Sequence, residues 1–153
     1  MKVHSQTDVG LVRTLNEDAC RTGLLGENGA WAVVCDGMGG ANGGEIASET
    51  AVKSIEEQIL ASYEEDFKSE EMKLMLSTLI FHANSAVYDM AQENESLKGM
   101  GTTIVVAIVL DNVAHIAHAG DSRAYLLHNG NIMQITTDHS MVQELIKNGD
   151  LTV

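Results

Sequence analysis

The sequence predicts an α+β fold: a four-layer sandwich of two mainly antiparallel β-sheets flanked by helices. Three observations carry this. The elements run strands, two helices, strands, helix, without the strict alternation that builds a parallel sheet. Turn signals at Asp111-Asn112 and Asn129-Gly130 mark hairpins. The segment Ile104 to Leu110 is apolar throughout, so it needs cover on both faces.

Lys2 to Thr7 alternates Val3, Ser5 and Thr7 against His4 and Gln6, and with Asp18 to Leu25 and the apolar run Ala30 to Cys35 it predicts an opening β-meander. The period then changes. Ala47, Ala51, Val52, Ile55 and Ile59 recur at helical spacing from Gly44 to about Tyr63, with Glu45, Glu49 and Glu56 opposite. Met72, Leu76, Leu79, Ile80, Ala83, Val87 and Met90 write a second helix, and Met72, Met75 and Met90 are expected to pack in the core. The two helices should pair antiparallel on a sheet.

After Gly99 the chain returns to β-structure: Ile104 to Leu110, Val113 to Ala119, Ser122 to His128 and Ile132 to Ile135. Ser140 with Gln143 reads as a capping box that opens a last helix through about Lys147, closed by Asn148-Gly149.

At 153 residues the chain suits one domain with one core. Nine Lys and Arg against 22 Asp and Glu give a formal net charge of −13, which argues against nucleic acid or an anionic membrane as partner. Glu56, Glu57, Glu64, Glu65, Asp66, Glu70 and Glu71 read as solvated helical faces. No apolar run reaches membrane-spanning length and the N-terminus lacks a signal-peptide apolar region, so a cytoplasmic location is expected. Cys20 and Cys35 lie in strand-like segments and are expected to be free and buried.

The chemistry concentrates where strands end at acids. Ala30 to Gly40 is an apolar run that stops on Asp36 and a glycine-rich turn, an arrangement that fixes a carboxylate and leaves the Gly37 carbonyl sterically open. Arg13-Thr14-Leu15-Asn16-Glu17-Asp18 adds a cation and two acids, and Asp121 ends a further strand. Glu17, Asp18, Asp36, the Gly37 carbonyl and Asp121 are hard oxygen donors, which point to Mg²⁺ or Mn²⁺. Arg13, four residues before Glu17, offers a fork for phosphate. Two such ions about 4 Å apart would activate a water to attack phosphorus.

Rival phosphate chemistries fail on spacing. The frame Gly39 to Gly44 continues into Glu45 where a phosphate-binding loop needs lysine. Six residues after Cys20 and Cys35 stand Gly26 and Ala41, where a cysteine phosphatase would place arginine.

RTLNED (13 to 18), DGMGG (36 to 40), GMGTT (99 to 103), AGDSRAY (119 to 125) and TTDHS (136 to 140) together closely resemble the metal-dependent protein phosphatases of the PPM or PP2C family, nearest to the bacterial serine/threonine phosphatases that oppose Hanks-type kinases. The resemblance covers the whole chain. It implies a helix-flanked β-sandwich, Mn²⁺ or Mg²⁺ as cofactor, and phosphoserine and phosphothreonine proteins as substrates, a Hanks-type kinase and its targets among them. Carried over by position, Arg13 matches the phosphate-binding arginine and Asp36 the carboxylate bridging two metals. Glu17 and the Gly37 carbonyl match ligands of one metal, Asp18 an acid behind them, and Asp121 the ligand of a third, weaker metal of bacterial members. Met38 stands where eukaryotic relatives often have histidine, and it cannot donate a proton, so water must protonate the leaving alcohol. Asp138 and His139 are expected to be structural.

Family members continue through a flap segment and two further aspartate motifs that this sequence does not contain. Residues 1–153 are therefore expected to be the N-terminal part of a single phosphatase domain, incomplete at its C-terminus. The full domain is expected to be a monomer. The chain alone has an alternative reading as an inactive binding module or folding fragment, with open strand edges that favour association.

Overall fold

The computed structural model describes residues 1–39, 43–63 and 69–140. Strands β1 (Asp18–Leu25) and β2 (Gly29–Met38) precede helices α1 (Gly43–Ser62) and α2 (Ser69–Glu93). A 3-10 turn at Glu95–Leu97 leads to β3 (Gly101–Thr102), β4 (Ile104–Leu110), β5 (Val113–Ala119), β6 (Tyr125–His128) and β7 (Asn131–Gln134). One sheet has the order β1-β2-β4-β5 with β3 paired to the end of β2, and β6-β7 form a second. All pairings are antiparallel, so the fold is α+β with two antiparallel sheets and flanking helices, as predicted.

Strand β2 lies inside the sheet, and its alternation organises the core. Trp31, Val33 and Cys35 are buried on the side that carries α1 and α2, with Val106 and Ile108 of β4 beside them and Ile55 and Ile59 of α1 above. Trp31 pairs with Gly23 across the β1 ladder, and a β-carbon on Gly23 would lie 2.8 Å from Trp31 Cε2. The missing side chain makes room for the indole. On the opposite side of β2, Val34 is 48% exposed, while Ala107 and Val109 of β4 are half-buried. Among the described residues β4 is therefore covered fully on the helical face and in part on the other. In the second sheet Leu127 and Ile132 are each 71% exposed.

Both tight hairpins follow their turn chemistry. Asp111 and Asn112 have φ of 46° and 66°, and Asn129 and Gly130 of 49° and 77°, the paired left-handed conformation that matches strand twist.

Four expectations change. Residues 2–7 form no strand: they are exposed, and their pattern offers a sheet one large apolar side chain, too little to repay the ordering of an edge. Strand β6 starts at Tyr125 rather than Ser122, because Ser122 and Arg123 spend their side chains on loop contacts. Met72 and Met75 are buried, but Met90 is 37% exposed and its sulfur accepts from Thr50 at 3.7 Å. Cys35 is buried and Cys20 half-buried. Both are free, since Cys20 faces Val34 and Cys35 faces Ala19 across the ladder, on opposite sides of the sheet. Gln143 of the expected capping box with its helix, and Gly40 of the glycine turn, lie outside the described residues. No helix among the described residues is long and apolar enough to cross a membrane.

Ile55, fully buried between helix and sheet, should cost about 2–5 kcal/mol when changed to Ala. Leu60, on the same helix but 65% exposed, should change stability by less than about 0.5 kcal/mol. Urea denaturation midpoints of Ile55→Ala and Leu60→Ala measure the contrast.

Candidate metal centre

The acids predicted from sequence meet at one end of the main sheet. Asp18, the first residue of β1, stands directly across the ladder from Asp36 near the end of β2. Two carboxylates so placed repel one another. The Asp36 carboxyl is pushed above the ordinary carboxylate range, first by burial, then by the Asp18 charge and its carboxyl hydrogen bond, then by Asp121; Arg13 pulls the other way. Asp18, Asp36, Asp121 and Arg13 therefore share one electrostatic environment. Among the described residues no three Asp, Glu, His or Cys side chains close into a metal cage.

Glu17 joins the site through the backbone. Its carbonyl accepts from Gly37 N–H at 3.0 Å, and its carboxylate lies against Gly44 at the start of α1, with Arg13 Nη1 at 3.4 Å from Oε2. A β-carbon on Gly37 would run into the Gly44 carbonyl and come within 2.6 Å of the Glu17 carbonyl oxygen. Gly37 is buried for this reason. The space beside the Gly37 α-carbon is thus filled by the helix start and Glu17, which is why glycine stands there. Placing the Glu17 carboxylate at a helix N-terminus is electrostatically favourable. Gly39, with φ of 152°, turns the chain against Met100, whose Cα would lie 3.1 Å from a β-carbon there.

The backbone of Asp36 is clamped by residues whose roles the sequence reading did not assign. Its N–H donates to Thr103 Oγ1 at 3.0 Å, and its carbonyl accepts from Thr103 N–H at 2.9 Å and Thr102 Oγ1 at 3.0 Å. Adjacent threonines after Gly-Met-Gly, just before an apolar strand, were the available signal. Thr103 Oγ1 is 2.6 Å from Ser122 Oγ, beside Asp121.

Nearby polar groups bond to one another. Asp138 takes two hydrogen bonds from Arg123, at 2.8 and 2.7 Å, which hold its carboxyl below the ordinary range. His139 stacks on His118 with ring centroids 4.3 Å apart, and its N–H donates to the Gly120 carbonyl at 2.9 Å. Met38 is 62% exposed and supplies no acid. Burial pushes the Cys35 thiol up to about 12, against the opposing hydrogen bond with Thr102, so no thiolate nucleophile forms there.

The donor set fits a hard cation. Oxygen donors predominate, and the repulsion between facing carboxylates is relieved by positive charge placed between them.

Comparison with known proteins agrees. The family model described as protein phosphatase 2C matches residues 12–147. The chain is 36% identical to the serine/threonine phosphatase stp of Listeria welshimeri over 155 residues, covering 99% of this chain and 60% of that protein. The crystal structure of Stp1 from Staphylococcus aureus superposes with a TM-score of 0.86 at 39% identity, over 96% of this chain and 57% of that one. The catalytic domain of PstP, solved in complex with two manganese ions, gives 0.77 at 34% identity, over 96% and 60%. The chain thus spans about 60% of the length of the curated relatives it matches.

Because the folded-state pKa of Asp36 lies above its unfolded value, its contribution favours the fold at low pH and is lost as pH rises through the raised pKa. At neutral pH in EDTA, Asp36→Asn should therefore raise Tm, by roughly 1–3 °C for relief of one like-charge cross-strand pair. The difference should vanish below the unfolded carboxylate range, as thermal unfolding across pH 3–8 will show.

Proposed function

The chain belongs to the protein phosphatase 2C family, and on that premise we propose that it serves metal-dependent hydrolysis of phosphoserine and phosphothreonine in proteins. The observation that carries this reading is the Asp18–Asp36 pair, two carboxylates held face to face with Asp121 adding charge and Arg13 within electrostatic reach.

In this reading Asp36 and Glu17 hold Mn²⁺ or Mg²⁺ together with the Gly37 carbonyl, Asp18 supports them, and Asp121 serves a further ion. When bound, such ions lower the pKa of water towards 7 and offset the charge that develops on phosphoryl oxygens. Arg13 is 68% exposed and joined to Glu17 by a long 3.4 Å contact, so it is free to turn its fork onto the phosphate of a substrate. Met38 neither donates nor accepts a proton, which leaves protonation of the departing serine or threonine alkoxide to water. The acidic surface, with its net charge of −13, favours substrates whose phosphosite is flanked by basic residues.

A second reading, a module that binds phosphoprotein without turning it over, is favoured by the incomplete closure of the acids into a cage among the described residues.

Hydrolysis of p-nitrophenyl phosphate and of a phosphothreonine peptide with MnCl₂ separates the two. The enzyme reading expects EDTA-sensitive turnover that Asp36→Asn abolishes. It also expects Arg13→Ala to lower kcat/KM about 10- to 100-fold, the worth of hydrogen bonds to a charged group. Manganese-dependent peptide binding without turnover would favour the module.

A further inference from the structure

Carboxylates that repel one another cannot set their own separation, so something uncharged must hold the strand end of Asp36 and the turn of Asp121 in register. We propose that Thr103 and Ser122 are positioning residues, whose hydroxyl bridge couples these two backbones so that the acids are placed as one unit. The inference rests on the metal-centre reading above and deepens it.

Three hydrogen bonds to Asp36 and Ser122 and one steric contact meet at Thr103. On one side its hydroxyl accepts the Asp36 N–H at 3.0 Å while its own N–H returns a bond to the Asp36 carbonyl at 2.9 Å. On the other side the same hydroxyl meets Ser122 Oγ at 2.6 Å, the short end of O–H···O distances. Asp36 N–H, the Thr103 hydroxyl and the Ser122 hydroxyl form one consecutive chain of hydrogen bonds. The steric contact comes from Gly120, whose φ is 101°: a β-carbon there would sit 2.7 Å from Thr103 Cγ2 and 2.9 Å from its Cβ. The turn that presents Asp121 is therefore seated on the side chain that holds Asp36. Thr103 is 9% exposed, so water competes poorly for these bonds.

Loss of the Ser122 hydroxyl removes the bridge but leaves the direct Thr103 clamp. Loss of the Thr103 hydroxyl removes the bridge and the acceptor of the Asp36 N–H, leaving the Thr103 N–H on the Asp36 carbonyl. A serine at 103 keeps the hydroxyl and gives up a methyl group.

The test uses the 153-residue protein, with MnCl₂ titration by calorimetry and amide hydrogen exchange by NMR in metal-free buffer. Ser122→Ala should speed exchange of the Asp36 amide and weaken Mn²⁺ binding, each roughly 5- to 10-fold. Thr103→Ser should keep both within about twofold, and Thr103→Val combined with Ser122→Ala should be no worse than Thr103→Val alone. Val52→Ala, a core change far from the acids in sequence, should lower Tm without selective effect on the Asp36 amide. Unchanged Asp36 exchange in Ser122→Ala, or equal losses in Thr103→Ser and Thr103→Val, would overturn the coupling. If the wild type binds no Mn²⁺, the metal-centre reading falls, and the coupling is then decided by the metal-free exchange alone.

Discussion

Everything at the acidic end of this molecule depends on how the last turn of strand β2 is held. Both backbone groups of Asp36 are committed to the Thr102-Thr103 segment, and the next residue, Gly37, donates to Glu17 while the start of α1 fills the space where its side chain would be. Strand, helix and preceding loop are thus locked around two residues. A strand end with free backbone groups would fray, and its carboxylate would have no fixed position.

That rigidity is what allows an unfavourable electrostatic arrangement to persist. Asp18 and Asp36 face each other across a ladder whose remaining pairs are largely apolar, and burial first, then the Asp18 charge, raise the proton affinity of Asp36. The buried layer of Trp31, Val33, Cys35, Val106 and Ile108 against Ile55 and Ile59 supplies the compensating stability. Local repulsion held in place by a packed core is the usual signature of a site built for a charged guest. Arg123, bound to Asp138, and the stacked His118 and His139 serve a different purpose, anchoring the turn behind Asp121.

Much of this could be read from the chain. Asp18–Leu25, Ile104–Leu110 and Val113–Ala119 have the predicted boundaries because turn residues delimit them and, in Ile104–Leu110, an apolar β-branched run fills the strand. The helices were legible from the spacing of Ala51, Ile55 and Ile59. Residues 2–7 misled because alternation states which side chains could face a sheet, not whether an edge exists to receive them. Two-residue strand β3 carries no periodicity, so the paired threonines that follow Gly-Met-Gly stood out by residue type but not by role.

The sequence by itself determined the chemistry available: oxygen donors at strand ends, an arginine near them, no zinc-type cluster, and motifs ordered as in the protein phosphatase 2C family. Tertiary structure decided which donors meet. Asp18 and Asp36 become neighbours through hairpin register, Glu17 reaches Gly37 because two glycines let α1 approach, and Asp121 is brought to Asp36 through Thr103. Residue types and local spacing are encoded along the chain, whereas register and close approach depend on partners 18 to 67 positions apart, which only folding brings together.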